Sequence, residues 1–145
     1  APAWPLKQGA NALEGITFPQ TWPWEAADFR RDDEADDAVF YGSPRFVTHI
    51  DDAAIASLRA WYAVQLPRGA DAAVLDLCSS WISHYPGDFA ARRVVGLGMN
   101  RHELERNPQL TEVVVQDLNR EPKLPFEDKS FDAITNAVSV DYLAR

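Results

Sequence analysis

Hydrophobic side chains follow two different periods along the chain, and the change between them lies close to Pro67. In residues 51–66, apolar side chains recur every three or four positions, at Ile55, Leu58, Tyr62 and Leu66. This period predicts an amphipathic helix with one apolar face. Asp51 or Asp52 stands where a carboxylate caps the first turn, and Pro67 and Gly69 end the helix.

Beyond residue 70, the apolar residues come in short continuous runs, in residues 72–78, 93–98, 111–116 and 131–138. Runs of this length are typical of strands that are covered on both faces of a sheet. Residues 79–91 have room for a helical turn before Pro86, and residues 101–106 predict a brief helix with Asn100 as its cap. Strands separated by such segments predict an α/β fold, a Rossmann-like parallel sheet joined by right-handed crossovers.

The N-terminal residues 1–47 lack such a period. Prolines and tryptophans interrupt the segment, at Pro2, Pro5, Pro19, Pro23, Pro44, Trp4, Trp22 and Trp24. Since proline has no backbone donor, we predict an extended arm whose tryptophans pack on its own domain or on a partner. The remaining residues 48–145 form the predicted α/β domain. The acidic run in residues 32–37 indicates a solvated loop or a site for a cation or basic partner, without the spacing of a calcium loop.

Composition and charge narrow the classes of function. The chain has 145 residues, of which 46% are hydrophobic, enough for one domain with its own core. No apolar run approaches the roughly 18 residues that a membrane span needs. The net charge of −8 disfavours nucleic acid as a partner, because a phosphate backbone would be repelled. A single cysteine, Cys78, forms no internal disulfide, and the three histidines fit no metal-ligand pattern.

The ends of the predicted strands carry the candidate site. The first strand runs through Asp76 into a turn that contains Cys78 and Ser80, the second ends at Gly98, and the third is followed by Asp117. Because the carboxyl ends of parallel strands meet at one edge of a sheet, ligands of this fold class bind there. Gly98 follows Asp76 by 22 positions, and Asp117 follows Gly98 by 19.

Residues 124–132, LPFEDKSFD, follow Asp117 and lead into the fourth predicted strand. Together with the acid at Asp76, this order of motifs over residues 72–143 resembles the class I S-adenosylmethionine-dependent methyltransferases of the type 11 kind. The resemblance implies S-adenosylmethionine as the cofactor, with Asp117 bonded to the adenine amino group and Leu118 beside the ring. It also implies that residues 136–138 border the methyl donor. Because methyl transfer depends mainly on alignment, we nominate no catalytic acid or base.

The sequence departs from that family at two places. Cys78, Ser80 and Ile82 occupy the three glycine positions of the turn after the first strand, where glycine allows a close backbone approach. Gly98 stands where the family has an acid that grips the ribose hydroxyls, and the amide of Asn100 is the substitute. The candidate cofactor-binding residues are therefore Asp76, Cys78, Ser80, Gly98, Asn100, Asp117 and Leu118. From the residues alone, Asp76 is equally a turn cap and Cys78 a small buried filler.

The fourth strand, in residues 131–140, forms an edge of the predicted sheet, whereas the sheet of the family has seven strands. An apolar edge of this kind pairs with another segment, so we expect either the remaining half of the domain or a protein partner there. The alternative function is a non-catalytic methyltransferase-like subunit of a larger assembly. A dinucleotide-dependent oxidoreductase is disfavoured, because Gly-x-Gly-x-x-Gly is absent after the first strand. The resemblance is to plant and algal proteins, which points to an organelle such as the chloroplast.

Overall fold

A computed structural model describes residues 15–139 and residue 143. By its internal contacts the chain divides into two compact units, Ala1–Glu34 and Ala35–Arg145. Part of the predicted arm, including Trp4, and the last part of the fourth predicted strand, at residue 140, lie outside the described residues.

The first unit is irregular over its described residues, apart from one turn of 3-10 helix at Ala26–Phe29. The backbone N–H of Glu25 donates to Asp28 Oδ2 over 2.7 Å at the start of this turn. The rings of Trp22 and Phe29 stack, with their centroids 6.2 Å apart and their planes 7° from parallel. Trp22 is nevertheless 73% exposed.

The second unit contains three helices and four strands in its described part. They are α1 (Asp37–Phe40), α2 (Asp52–Gln65), β1 (Gly69–Leu77), β2 (Ala91–Gly98), α3 (Arg101–Leu104), β3 (Glu112–Val115) and β4 (Ala133–Asn136). The strands form one sheet in the order β3-β2-β1-β4, and every neighbouring pair is parallel. The predicted fold class, an α/β fold with a partial Rossmann-like sheet, is confirmed.

Helix α2 forms as its sequence predicts. The side chain of Asp51 accepts a hydrogen bond of 2.7 Å from the backbone N–H of Ala54, which satisfies one of the free donors of the first turn. Tyr62 is its buried residue, and the helix ends before Leu66. None of the described helices, of which α2 is the longest at 14 residues, is long and apolar enough to cross a membrane.

Two clusters of apolar side chains cover the sheet. The first contains α2 side chains together with sheet and loop residues, Tyr62, Leu66, Val74, Tyr85 and Val94. The second contains Leu75, Val95 and Leu97, against which Leu118, Leu124, Phe126 and Phe131 pack. Alternate residues of β1 and β2 therefore enter different clusters, as expected for strands buried on both faces.

The connection between β1 and β2 differs from the prediction. We expected a helical turn in residues 79–91, but residues 78–90 form a loop without a helix. The physical reason lies in the polar side chains of the loop, since the hydroxyls of Ser79 and Ser83 bond back to the carboxylate of Asp76. Such local bonds compete with helix formation. Tyr85 of this loop and Tyr62 of α2 then pack together over the sheet, with ring centroids 5.3 Å apart.

Candidate functional site

A cleft of about 280 Å³ lies at the carboxyl ends of the four strands. Six of the seven candidate residues from the sequence line it, namely Asp76, Cys78, Ser80, Gly98, Asp117 and Leu118. They come together because all four strands are parallel, so the segments that follow them leave the sheet at the same edge. The cleft therefore has the location that ligand sites take in this class of fold.

Asp76 is a buried acid of the cleft, with 5% of its surface exposed. Its Oδ2 accepts hydrogen bonds of 2.6 Å from the hydroxyls of both Ser79 and Ser83, and its Oδ1 accepts one of 3.1 Å from Thr135 on β4. Burial raises the pKa of this carboxyl from 3.8 to about 6, and the three hydroxyls oppose that rise by stabilising the ionised form. Asp76 thus ties β1, its following turn and β4 together.

A chain of hydroxyls extends this network into the core. The oxygens of Tyr85 and Thr135 are 2.6 Å apart, and Thr135 is in turn bonded to Asp76. An ionised carboxylate only accepts hydrogen bonds, so the Thr135 hydroxyl donates to Asp76 and accepts a hydrogen bond from the Tyr85 hydroxyl. Burial, followed by the nearby charge of Asp76, raises the pKa of the Tyr85 hydroxyl, which keeps it a donor.

The turn after β1 takes a glycine-like conformation without glycine. Cys78 has φ of 54°, in the left-handed region that non-glycine residues rarely adopt. The next residue, Ser79, donates its backbone N–H to Leu97 O of β2 over 2.7 Å. The thiol of Cys78 is 3.7 Å from Asn136 Nδ2, and burial raises its pKa, so it is not a pre-formed thiolate.

Gly98 has a steric reason to be glycine. A Cβ atom built on it would overlap the backbone carbonyl oxygen of Ser79, which belongs to the turn after β1. Because backbone cannot yield as a flexible side chain does, a larger residue would have to push the turn away from β2. The space beside the end of β2, where a larger side chain would stand, is therefore filled by the chain itself.

Glu103 on α3 is a cleft residue that the sequence did not single out. It is 5% exposed, and its Oε2 accepts a hydrogen bond of 2.6 Å from the hydroxyl of Ser80. Its Oε1 accepts another of 2.6 Å from the backbone N–H of Arg45. A carboxylate follows β2 after all, from the helix that begins three residues beyond Gly98.

Asn100, the seventh candidate, is not among the residues that line the cleft. Its Oδ1 caps α3 by accepting from the backbone N–H groups of His102 and Glu103, at 3.0 and 3.2 Å. Its Nδ2 donates to Tyr41 O over 2.7 Å. The expected capping role is confirmed, and these bonds occupy both ends of the amide.

Asp117 and Leu118 form the end of the cleft beyond β3. Asp117 Oδ1 accepts a bond of 2.9 Å from the backbone N–H of Asn119, and its Oδ2 is 3.6 Å from Arg120 Nε. The Asp117 side chain keeps 18% of its surface exposed. Leu118 packs on the apolar cluster around Leu97 while it also lines the cleft. A carboxylate and an apolar surface are thus presented side by side.

His84 also lines the cleft, although only 4% of its surface is exposed. Its Nδ1 is buried and has no hydrogen-bond partner among the described residues. Burial lowers the pKa of the imidazole, and the positive charge of Arg59 lowers it further, so the ring is neutral near pH 7. In the sequence, His84 is one of three histidines that fit no metal-ligand pattern.

Strained backbone concentrates around this cleft. Among the described residues, five other than glycine have positive φ, and four of these line the cleft: His49, Cys78, His84 and Val138. For the β-branched Val138, with φ of 70°, this conformation is especially unfavourable. Strain of this kind persists where the surrounding structure imposes it, and it is typical of ligand sites.

The charged side chains of the cleft are mostly acidic. Four carboxyl groups line it, those of Asp37, Asp76, Glu103 and Asp117, against one guanidinium group, that of Arg45. Such a lining favours a cationic or neutral ligand over a polyphosphate.

The chain matches no protein-family model and no curated protein.

Proposed function

We propose that the cleft binds S-adenosylmethionine and that the protein acts as a methyltransferase-like enzyme on an unidentified acceptor. The observation that carries the proposal is the convergence of Asp76, Gly98 and Asp117 at one edge of a parallel sheet. Each of these residues follows or ends a different strand in the order that the resemblance requires. A nucleoside laid across the ends of β3, β2 and β1 would meet all three positions.

The adenine ring fits the end of the cleft beyond β3. Asp117 supplies a carboxylate that accepts from the adenine amino group, and Leu118 supplies an apolar surface for the ring face. Because Asp117 keeps part of its surface exposed, a ligand reaches it without displacing buried structure.

The ribose would lie beside α3. Gly98 offers no carboxylate, but Glu103 brings one into the cleft directly after β2. Each of its two oxygens already accepts one hydrogen bond, from Ser80 and from Arg45. A carboxylate has about four acceptor sites, so two remain for the ribose hydroxyls. In this proposal, Glu103 takes over the role of the missing acid.

Charge favours this cofactor over a dinucleotide. S-adenosylmethionine has a net charge of +1, from a sulfonium, an ammonium and one carboxylate group, and the cleft presents four carboxyl groups. Dinucleotides carry a pyrophosphate, which binds at the N-terminus of a helix that follows β1. Residues 78–90 contain no such helix. The cofactor supplies an electrophilic methyl group, and the protein contributes alignment of the acceptor with it.

The proposal is tested by calorimetric titration of the chain with S-adenosylmethionine. We expect micromolar binding, and Asp117→Ala should weaken it about tenfold, the size of one lost hydrogen bond. Asp71→Ala is the matched control, because Asp71 is an exposed acid near the amino end of β1, away from the cleft. Absence of binding at millimolar cofactor, or equal losses in both variants, would contradict the proposal.

A second candidate function is that of a non-catalytic methyltransferase-like subunit. It is favoured by β4, which pairs only with β1 among the described residues and carries Ile134 with 58% of its surface exposed. An edge strand with an exposed apolar residue is suited to pairing with a partner. Light scattering during size-exclusion chromatography should then show a stable complex, and loss of that complex in Ile134→Lys would locate the interface. A monomer that binds the cofactor would exclude this candidate.

A further inference from the structure

The loop before β2 holds His84 rigidly between two anchors. On one side, Ser83 donates to Asp76 at the end of β1 over 2.6 Å. On the other side, the Tyr85 and Thr135 hydroxyls bond over 2.6 Å, which ties the loop to β4. The same two neighbours are also bonded to the segment before β3, because Asn107 Nδ2 donates to Ser83 over 2.8 Å and Gln109 Nε2 donates to Tyr85 O over 3.1 Å. His84 lines the same cleft as Asp117, which follows β3 at the edge of the sheet opposite β4.

The imidazole presents an unused polar atom. Nδ1 is buried without a partner among the described residues, although the ring lines the cleft. A buried polar atom of this kind requires a partner that the described residues do not supply, such as a ligand or water. In a neutral imidazole one nitrogen carries the proton and the other accepts. With the proton on Nε2, Nδ1 accepts, and its natural partner is an N–H or O–H donor.

We propose that His84 Nδ1 accepts a hydrogen bond from the primary ammonium group of an amino-acid-bearing ligand, an inference that rests on the proposed function. If Asp117 and Glu103 hold the adenine and the ribose, the amino-acid portion is the part of the ligand that extends toward β1 and β4. The ammonium group is the strong donor of that portion. Two charges act at this position: the buried carboxyl of Asp76, which accepts from the residue before His84, favours a cation, and the guanidinium of Arg59, which lowers the pKa of the imidazole, opposes one.

The backbone conformation at position 84 suits a histidine. His84 has φ of 59°, a conformation that histidine and asparagine adopt more readily than most side chains. Asparagine therefore suits the backbone, and its Oδ1 occupies about the same place as Nδ1 of histidine. His84→Asn is accordingly the conservative variant that keeps an acceptor, and His84→Leu is the variant that removes it.

The test pairs these variants with two probes, S-adenosylhomocysteine and its deaminated analogue, which lacks only the ammonium group. Affinities are measured by calorimetry, and thermal melting checks that each variant is folded. For the unmodified chain we expect the deaminated probe to bind about tenfold or more weakly, as for the loss of a charge-assisted hydrogen bond. His84→Leu should remove that difference, and His84→Asn should retain most of it.

The outcomes separate the two proposals. If the unmodified chain binds neither probe at millimolar concentration, the proposed function fails, and the inference about His84 fails with it. If both probes bind but His84→Leu weakens them equally or leaves them unchanged, the proposed function stands and the inference is overturned. A loss of the preference in His84→Asn would likewise overturn the acceptor role, since that variant keeps the oxygen in place.

Discussion

The hydroxyl of Ser83 donates a hydrogen bond of 2.6 Å to Asp76 Oδ2, seven positions earlier in the chain. Ser79 donates to the same oxygen from the near end of that loop, also over 2.6 Å. The loop that follows β1 is thus wrapped around a buried carboxylate. Side-chain hydrogen bonds therefore set the shape of this loop.

Removal of the Ser83 hydroxyl should destabilise the fold. Ser83→Ala takes one donor from Asp76 and leaves the Nδ2 of Asn107, 2.8 Å from the hydroxyl, with one bond fewer. We expect a loss of about 1–3 kcal/mol in the free energy of unfolding, measured by urea denaturation. The control is Ser57→Ala on α2, whose exposed hydroxyl bonds only to Ala53 O of its own helix. Equal effects of the two changes would contradict the role of the Asp76 network.

The buried carboxyl of Asp76 should make stability depend on pH. Its pKa rises from 3.8 to about 6 in the folded chain, so the folded state binds the proton more tightly than the unfolded state. The stabilising contribution of Asp76 to the free energy of unfolding is therefore fully present below about pH 4 and is lost as the pH rises through about 6. The size of this loss is about 3 kcal/mol, from the difference of the two pKa values.

Asp76→Asn provides the comparison, because asparagine keeps a similar shape and does not titrate. The difference in unfolding free energy between Asp76→Asn and the unmodified chain should shift in favour of the variant from pH 4 to pH 7. Other carboxyl groups titrate in both chains, so they cancel in this difference. A difference that stays constant over that range would show that Asp76 has an ordinary pKa in the folded chain.

No side chain should be tolerated at position 98, because Gly98 is in close contact with the turn after β1. Gly98→Ala places a Cβ against the carbonyl oxygen of Ser79, so the turn must move and we expect a loss of about 1–3 kcal/mol in stability. The matched control is Gly87→Ala, where a Cβ meets nothing within 4 Å. That change should be neutral or stabilise by about 0.5 kcal/mol, because alanine reduces the freedom of the unfolded chain. Similar melting temperatures for the two variants would refute the steric role of Gly98.

The role proposed for Glu103 predicts a selective loss of affinity. Glu103→Gln keeps an oxygen for the Ser80 hydroxyl but removes the charge and one acceptor, so affinity for S-adenosylhomocysteine should fall about tenfold. Glu105→Gln is the control on the same side of the fold, because Glu105 has only an exposed ion pair at 3.6 Å with Arg101. The affinity of Glu105→Gln for S-adenosylhomocysteine should stay within about twofold of that of the unmodified chain. If Glu103→Gln binds the ligand normally, another group holds the ribose.

Much of the sheet is predictable because its signals are local. Continuous apolar runs mark strands such as β1 and β2, and both lie buried at the centre of the sheet. Asp51 caps α2 as its position before the apolar stripe predicts. Parallel pairing follows from the spacing of the strands, so the meeting of Asp76 and Asp117 at one cleft could be expected from the sequence.

The rest of the site depends on contacts that sequence does not display. The sequence from Asn100 to Glu103 has the pattern of a helix N-terminus with a capping acid. This pattern gives no sign of the hydrogen bonds that Glu103 accepts from Ser80 and Arg45. The loop of residues 78–90 lacks a helix because its serines bond to a carboxylate that is buried only after folding. The unpartnered Nδ1 of His84 likewise becomes visible only once the loop is anchored at both ends.

The most direct test of the central claim is a titration of the ¹⁵N-labelled chain with S-adenosylmethionine, followed by amide chemical shifts. We expect saturable changes in the amide chemical shifts of Gly98, Asp117, Leu118 and the turn of residues 78–83, with little change at the amino ends of the strands. Unchanged spectra at millimolar cofactor, or shifts confined to residues away from the carboxyl edge of the sheet, would contradict it.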